Sequence, residues 1–275
     1  MLNCRKQKNI RLIAVDLDGC LLDSDKKLPA DLTEILQKLQ KRNILFAAAT
    51  GRPLDSIHLL FKDIHMPFDI IADNGCLIIH EGAVILEQCF RKEEAEKILH
   101  AIYDRDDMAV VLSTKEGTLY DEKAEIMLRK LSTWSGFNMK KVNSLSEYLE
   151  HVYKFALFFP GMKDDAPVPE FLLPYRKDYE VRNTTGGWVD INLFDTNKGA
   201  AMTVLQKKLG IENAEVMAFG DSDSDVEMLM QAGRGYALLN GCDSVKKKAE
   251  FITEYDNDHC GVTRTIEKYL EEENI

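Results

Sequence analysis

Short apolar runs alternate with amphipathic segments in the N-terminal part of the chain. The runs RLIAV, ILFAAA and FDIIA each predict a buried strand, because they are apolar over a length typical of strands. Between the first two, apolar residues recur at helical spacing at Leu32, Ile35, Leu36 and Leu39. Such alternation predicts a parallel sheet that is covered by helices on both faces.

The same pattern resumes towards the C-terminus. NKGAAMTVLQKKLG predicts a helix that ends at Gly210, AEVMAFGD a strand, SDVEMLMQAG a helix and GYALL a further strand. Residues 1–81 and 188–275 are therefore predicted to form one discontinuous α/β core, a doubly wound parallel sheet of Rossmann-like type.

The segment between these two parts has a different pattern. Residues 82–187 contain one helical stretch, a strand–turn–strand stretch and aromatic-rich alternating strands. They are predicted to form an inserted α+β cap domain. The alternative is that the insertion thickens one larger domain.

Charge and cysteine content narrow the classes of function. A net charge of -11 disfavours loose attraction to nucleic acid or to an anionic membrane surface. The six cysteines are scattered without a C-x-x-C pair, which favours neither a zinc site nor a disulfide framework. No run has the length of a membrane helix, and the N-terminus lacks the apolar region of a signal peptide. We therefore expect a soluble, cytoplasmic protein.

Two aspartates, Asp16 and Asp18, follow the first predicted strand and precede Gly19. Side chains two residues apart in a strand lie on the same face, so both carboxylates are expected to point the same way. At about 4 Å and an effective dielectric of about 20, their repulsion is on the order of 4 kcal/mol. A bound cation or a shared proton would offset this repulsion.

Further polar residues follow the carboxyl ends of predicted strands, where ligands bind in open parallel sheets. Thr50, Gly51 and Arg52 follow the second strand, Lys198 begins a late helix, and the acidic segment 221–225 follows a late strand. Each feature alone has an ordinary interpretation as a turn, a helix cap or a solvated side chain. Together they suit phosphoryl transfer, with one carboxylate as nucleophile, another as acid and base, and a lysine and N–H groups on the phosphate. Asp16 with Asp221 offers the hard oxygen ligands that suit Mg²⁺.

These segments resemble the motifs of the haloacid dehalogenase (HAD) superfamily of phosphatases, in particular its Cof-type branch (subfamily IIB), which has a large C2 cap. VDLDGCLL resembles the first motif, AATGR the second, NKGAAM the third and AFGDSDSDVEML the fourth. DNGCLI and LLNGCDSVKKKAEFIT also lie where that branch has characteristic segments.

The resemblance implies that Asp16 is the nucleophile, which forms an aspartyl-phosphate, and that Asp18 is the general acid and base. It implies Mg²⁺ as the cofactor, held by Asp16, the backbone carbonyl of Asp18, and Asp221. Phosphate-binding and supporting roles follow for a larger set, namely Leu17, Thr50, Gly51, Lys198 and Ser224 on the phosphate, with Arg52 and Asp225 in support.

Two positions depart from the pattern of the family. Cys20 stands where the first motif usually has Thr, and Ser224 stands where the branch usually has an Asn that touches the phosphate. Neither change removes a reacting group, so we expect lower efficiency or a changed substrate preference at most.

The leading hypothesis is a Mg²⁺-dependent phosphatase of small phosphorylated metabolites, with sugar phosphates as the expected class. No nucleic-acid or membrane partner is expected, and the chain is predicted to be a monomer or a weak homodimer. One alternative is a sugar phosphomutase that uses the same aspartyl-phosphate, and another is a non-catalytic regulator that binds phosphorylated metabolites. A receiver domain also uses Asp, Thr and Lys on such a sheet, but it would not need the long insertion.

Overall fold

The structure is a computed structural model, which describes residues 9–129, 138–163, 166–184 and 186–272. The chain divides into two compact units. The first comprises Met1–Gly51, Leu60–Leu86 and Asn197–Ile275, and the second comprises Arg52–Leu59 and Glu87–Thr196. The hypothesis that residues 82–187 form a domain which selects the substrate stays a prediction.

The helices and strands of the described residues are, in chain order, β1 (Leu12–Val15), α1 (Leu32–Lys41), β2 (Leu45–Ala49), α2 (Leu54–Leu60), β3 (Asp69–Ala72), β4 (Leu77–His80), β5 (Ala83–Glu87), α3 (Lys92–Tyr103), β6 (Ala109–Thr114), β7 (Gly117–Tyr120), α4 (Glu122–Leu128), β8 (Met139–Lys141), β9 (Val152–Phe158), β10 (Tyr179–Asn183), β11 (Trp188–Leu193), α5 (Lys198–Leu209), β12 (Val216–Gly220), α6 (Val226–Gln231), β13 (Arg234–Ala237), α7 (Asp243–Lys248), β14 (Phe251–Ile252) and α8 (Gly261–Glu272).

An eight-stranded sheet lies at the centre of the first unit. Its strand order is β14-β13-β12-β1-β2-β3-β4-β5. The neighbours from β14 to β3 are parallel, and β4 pairs antiparallel with β3. The α/β fold predicted from the sequence is thereby confirmed.

Both faces of this sheet are buried. Leu12 and Ala14 of β1 pack in one core cluster with Met202 and Leu205 of α5. Ile13 and Val15, which alternate with them and so lie on the opposite face, are also fully buried. Burial on both faces is the reason why these strands read as continuous apolar runs.

Helices α1 and α5 form where the sequence predicts them. All four apolar residues that predicted α1 are buried, which places them on the face of the helix turned towards the core. Helix α5 begins after Asn197, whose side chain accepts the N–H of Ala200, and it ends at Gly210, which has a φ of 62°. A polar N-cap and a left-handed glycine at the C-terminus are the usual ends of a helix.

The second unit contains a six-stranded sheet in the order β10-β11-β9-β6-β7-β8. Its pairs are antiparallel except β7 with β8. One face packs on α3, where Ile98 and Ile102 share a core cluster with Phe155 and Ile191 of the sheet. This unit thus combines helices with a mainly antiparallel sheet.

Within the described ranges of the chain, no helix has both the length and the apolar character needed to cross a membrane.

Close backbone packing between α6 and β13 depends on Gly235. A Cβ atom built at Gly235 would overlap the backbone carbonyl of Leu229 in α6. Because backbone atoms cannot turn aside as a flexible side chain can, a methyl group here must push the helix off the sheet.

We expect Gly235→Ala to lower the free energy of unfolding by about 3 kcal/mol, or the melting temperature by roughly 5 to 10 °C. Thermal unfolding followed by circular dichroism measures this effect. Gly82→Ala is the matched control, because a Cβ there meets no atom within 4 Å and only the positive φ of 78° is unfavourable. Equal melting temperatures for the two variants would contradict the close approach.

Candidate active site

Three parallel strands bring the predicted site residues to one edge of the sheet in the first unit. Strand β1 lies between β12 and β2, with Val15 paired to Phe219 on one side and to Ala48 on the other. Asp16 follows β1 directly, Asp221 follows β12, and Thr50 follows β2. Since neighbouring strands are about 4.8 Å apart, these residues necessarily start from adjacent positions.

Lys198 joins two carboxylates inside the protein. Its Nζ donates to Oδ1 of Asp16 at 2.6 Å and to Oδ1 of Asp225 at 2.7 Å. All three residues are buried, with at most 4% of their surface exposed. Buried charges need such partners, because an unpaired ion would lose its hydration without compensation.

Asp225 also holds the turn that carries Asp221. Its Oδ2 accepts the backbone N–H groups of Asp221 and Ser222, each at 3.0 Å, and the hydroxyl of Ser222 at 3.1 Å. A Cβ at Gly220 would overlap the Asp225 side chain, so the close fit requires glycine there. Ser222 was not predicted from the sequence.

Asp16, Asp221 and Asp225 form a group that fits a divalent cation. One carboxylate oxygen from each lies within 4.8 Å of the others. Oδ1 of Asp221 is buried and has no hydrogen-bond partner among the described residues. Three ionised carboxylates beside one lysine leave an excess of negative charge, and carboxylate oxygens are the ligands that Mg²⁺ prefers.

Burial and the neighbouring carboxylates raise the pKa values of Asp16 and Asp221. Burial raises the pKa of Asp16 well above its usual value, the charges of Asp225 and Asp221 raise it further, and Lys198 opposes the effect. The pKa of Asp221 is raised to about 6, first by burial and then by Asp225. A cation bound among them would favour the ionised forms.

The same charges act on Lys198 in the opposite sense. Burial lowers the pKa of the ammonium group, but Asp16 and Asp225 more than offset this, and the net shift is upwards. Lys198 therefore stays protonated at neutral pH and carries a fixed positive charge in the site.

Asp18 lies outside this buried group. Strand β1 ends at Val15, and Gly19 has a φ of 77°, so the alternation of strand side chains does not extend to Asp18. Its carboxylate pairs with Nζ of Lys26 at 3.1 Å, and 39% of its side chain is exposed. The strongest repulsion on Asp16 comes from Asp225 and Asp221 rather than from Asp18, because those are the carboxylates that the fold buries beside it.

Three of the predicted phosphate-binding residues, Thr50, Gly51 and Leu17, lie at or after the ends of β1 and β2. Thr50 is buried at the end of β2, its N–H donates to Ile71 O, and its own carbonyl accepts the N–H of Asn74. A Cβ at Gly51 would approach the Asn74 side chain to 2.9 Å. The Leu17 side chain is fully buried, so only its backbone can meet a ligand. The roles of these residues stay predictions.

The two departures from the family pattern also have defined surroundings. The Ser224 hydroxyl lies 2.9 Å from that of Ser222. Cys20 is buried, and burial and the charge of Asp16 raise the pKa of its thiol, which therefore stays protonated and packs as an apolar group. Arg52, predicted to support the site, belongs to the second unit, where its Nη1 donates to Ser56 Oγ at 3.4 Å.

Asn240, whose side chain contacts the loop after β1, was not among the residues predicted from the sequence. Its Nδ2 donates to the carbonyl of Gly19 at 2.7 Å. One signal was available, because Asn240 follows β13 in the sequence and the other site residues were found by the same rule of strand ends.

Comparison with known proteins gives a family match over most of the chain. A family model described as haloacid dehalogenase-like hydrolase matches residues 13–266.

Curated relatives are similar over nearly their full lengths. An HMP-PP phosphatase from Klebsiella pneumoniae is 28% identical, with 96% of this chain and 97% of the relative covered. A 5-amino-6-(5-phospho-D-ribitylamino)uracil phosphatase from Bacillus subtilis is 27% identical, with 97% and 98% covered. Among solved structures, a haloacid dehalogenase-like hydrolase from Bacteroides thetaiotaomicron has a TM-score of 0.83 at 23% identity, with 95% of this chain and all of that chain covered. The last likeness shows the fold.

We expect Asp221→Asn to stabilise the metal-free protein above pH 6. The pKa of Asp221 is raised to about 6 in the folded protein, so ionisation of this carboxyl group lowers the free energy of unfolding as pH rises through that value. An amide does not ionise and avoids this loss. At pH 8 the free energy of unfolding of Asp221→Asn should exceed that of the wild type by up to about 3 kcal/mol, or roughly 5 to 10 °C in melting temperature. The difference should be smaller at pH 5.

Thermal unfolding in a chelating buffer, with and without added Mg²⁺, measures both parts of this prediction. Mg²⁺ should raise the melting temperature of the wild type more than that of Asp221→Asn. The exposed Asp63→Asn serves as the charge-matched control. If Mg²⁺ raises the melting temperature of Asp221→Asn as much as that of the wild type, Asp221 is not a ligand of the metal.

Proposed function

We propose that this chain, which belongs to the family of haloacid dehalogenase-like hydrolases, removes phosphate from small metabolites with Mg²⁺ and through an aspartyl-phosphate on Asp16. The chain is an enzyme, a phosphatase of this family, as the family match and the relatives named as phosphatases support. The metal, the intermediate and the substrate class are the parts that we propose here.

The observation that carries the proposal is the buried contact of Lys198 with Asp16 and Asp225, beside Asp221. Lys198 holds one oxygen of Asp16 and leaves the carboxylate oriented for attack on phosphorus. Its positive charge also favours the negative charge that gathers on the phosphoryl oxygens during transfer.

The reaction has two steps, which the two aspartates share. Asp16 attacks phosphorus and forms a P–O bond, while the bond to the leaving oxygen breaks and that oxygen takes a proton from Asp18. Water then attacks the aspartyl-phosphate and gives a proton back to Asp18. Phosphate leaves, and Asp16 is restored as a carboxylate.

Mg²⁺ would be held by Asp16, Asp221 and the backbone carbonyl of Asp18, with Asp225 in support. When bound, it supplies positive charge that offsets the repulsion between the carboxylates and the phosphate. The hydroxyl of Thr50, the N–H groups near Gly51 and Leu17, and Ser224 are the proposed contacts to the phosphate oxygens.

For the substrate, we propose metabolites rich in hydroxyl groups, such as sugar phosphates. One face of the sheet in the second unit carries a polar row, namely Ser113, Lys154, Asp190 and Asn192. Ser113 is paired with Lys154 in the strand register, and Nζ of Lys154 lies 3.2 Å from Oδ2 of Asp190. Ser113 Oγ and Asn192 Nδ2 are buried without a hydrogen-bond partner among the described residues.

Such a row supports recognition of polar groups, because buried polar atoms are normally paired and a ligand hydroxyl can pair with them. The substrate named for the Bacillus subtilis relative carries a phosphorylated ribityl chain, which is also a polyol. Free thiols at all five cysteines of the described residues accord with a cytoplasmic location.

We expect phosphate release from a panel of sugar phosphates, polyol phosphates, nucleotides and vitamin phosphates to need both Mg²⁺ and Asp16. Asp16→Asn should lower turnover by at least about 10⁴-fold, because an amide does not attack phosphorus. The exposed Asp63→Asn should keep the wild-type rate. Normal turnover by Asp16→Asn would overturn the mechanism, and a product that keeps its phosphate at a new position would indicate the mutase instead.

We expect Ser113→Ala and Asn192→Ala each to raise KM for the preferred hydroxyl-rich substrate by about three- to tenfold, the value of one hydrogen bond. The kinetic constants for p-nitrophenyl phosphate, which has no hydroxyl groups to bind, should stay unchanged. Ser146→Ala, at an exposed serine of the same unit, is the control. Equal effects on both substrates would speak against a role of the polar row in recognition.

A further inference from the structure

Two asparagines from the C-terminal part of the first unit hold the loop that follows β1. Asn240 Nδ2 donates to Gly19 O at 2.7 Å, and Asn257 Nδ2 donates to Leu22 O at 2.9 Å. The two are also joined to each other, since the backbone N–H of Asn257 donates to Oδ1 of Asn240 at 3.1 Å. We call these residues the asparagine clamp.

The clamp acts on the part of the loop that is next to Asp18. Gly19 adopts a φ of 77°, and a Cβ there would lie 2.5 Å from Oδ2 of Asp221. The glycine backbone thus touches the acidic group on one side, while its carbonyl is bound by Asn240. The carbonyl that Asn240 binds belongs to the residue directly after Asp18.

Asn240 itself is held in place. The N–H of the preceding residue, Leu239, donates to Oγ1 of Thr253 at 3.0 Å, and the N–H of Thr253 donates to Ala237 O at 3.0 Å. Thr253 is buried, with 3% of its surface exposed. The segment before Asn240 is therefore anchored to the end of β13.

Asp18 lies in a more exposed setting than Asp16. Asp16 is oriented by a buried lysine, whereas the ion pair of Asp18 with Lys26 is exposed, with 54% of the lysine side chain in solvent. Exposed pairs contribute little, about 0 to 1 kcal/mol, and orient a side chain weakly. Asp18 is thus carried by the same loop that the two asparagines bind, since it directly precedes Gly19.

We propose that Asn240 is a positioning residue which, together with Asn257, fixes the loop so that Asp18 can transfer its proton to the leaving oxygen. This inference rests on the proposed function, in which Asp18 is the acid and base. An asparagine suits the task because its amide donates to Gly19 and accepts from Asn257 at the same time.

The test compares two leaving groups. A misplaced acid slows departure of an alkoxide, which must be protonated, far more than departure of p-nitrophenolate, which leaves readily without a proton. For Asn240→Asp, we expect kcat to fall about 10- to 100-fold with an alkyl phosphate and less than about threefold with p-nitrophenyl phosphate, at unchanged KM. Aspartate has the same shape as asparagine and still accepts from Asn257, but it cannot donate to Gly19.

Asp18→Asn gives the reference pattern, because it removes the acid itself and should show the same imbalance between substrates. Asn213→Ala is the matched control, since this asparagine accepts from Gln206 in the same unit and is not part of the clamp. Asn257→Asp removes only the hydrogen bond to the carbonyl of Leu22. This variant replaces Asn240→Asp in the test if Asn240→Asp does not fold.

Equal losses with both leaving groups, or no loss with either, would overturn the proposal. Failure of the proposed function has a different signature, namely a wild type that releases no phosphate or an Asp16→Asn variant that keeps its activity. In that case hydrogen exchange tests, independently of activity, whether the clamp holds the loop. The N–H groups of Leu21 and Leu22, bonded to Asp16 O and Leu17 O, should exchange at least about tenfold faster in Asn240→Asp, and unchanged exchange would overturn the clamp.

Discussion

The contact of Lys198 with Asp16 and Asp225 is the interaction on which the rest of this site depends. A lysine that is taken out of water loses several kcal/mol of hydration, and only close, well-directed carboxylates can compensate for this loss. Here the ammonium group has two of them, at 2.6 and 2.7 Å. Removal of Lys198 would leave buried carboxylates without a compensating charge, at a cost of about 3 to 5 kcal/mol.

That contact also connects the backbone elements of the site. Lys198 is the first residue of α5, Asp16 follows β1, and Asp225 fixes the turn after β12 with its second oxygen. The two oxygens of Asp225 thus have separate functions, one for the lysine and one for the turn. Asp221 is left with an oxygen that has no partner among the residues which the structure describes, and this asymmetry makes the group suitable for a cation.

Local patterns in the sequence were sufficient for the main elements of the fold. Strands β1, β2, β3 and β12 are buried on both faces, so each reads as an apolar run, and α1 has a clear apolar face. The short strand β14 was not predicted, because two residues are too few to show a pattern. Strand β5 was not predicted as part of the first sheet, since its place at the edge depends on pairing rather than on its own residues.

The parts of the site that could not be predicted from the sequence have a similar cause. Residues directly after strands were found because strand order brings them to one edge, whereas the exposed setting of Asp18 depends on where β1 stops. Asn240 is 221 positions from Gly19 in the sequence, and periodicity carries no information about a single hydrogen bond over that distance. The substrate that we propose likewise rests on side chains of the second unit, Ser113 and Asn192, that no motif identifies.

The central position of β1 in its sheet has a consequence for biosynthesis. Its partner β12 is made about two hundred residues later, and Lys198 is 182 positions from Asp16. A growing chain therefore carries a strand with one open edge, and Asp16 without its lysine, until most of the sequence has left the ribosome. An open edge of this kind can pair with another chain, so the last third of the protein both completes the enzyme and closes a route to aggregation.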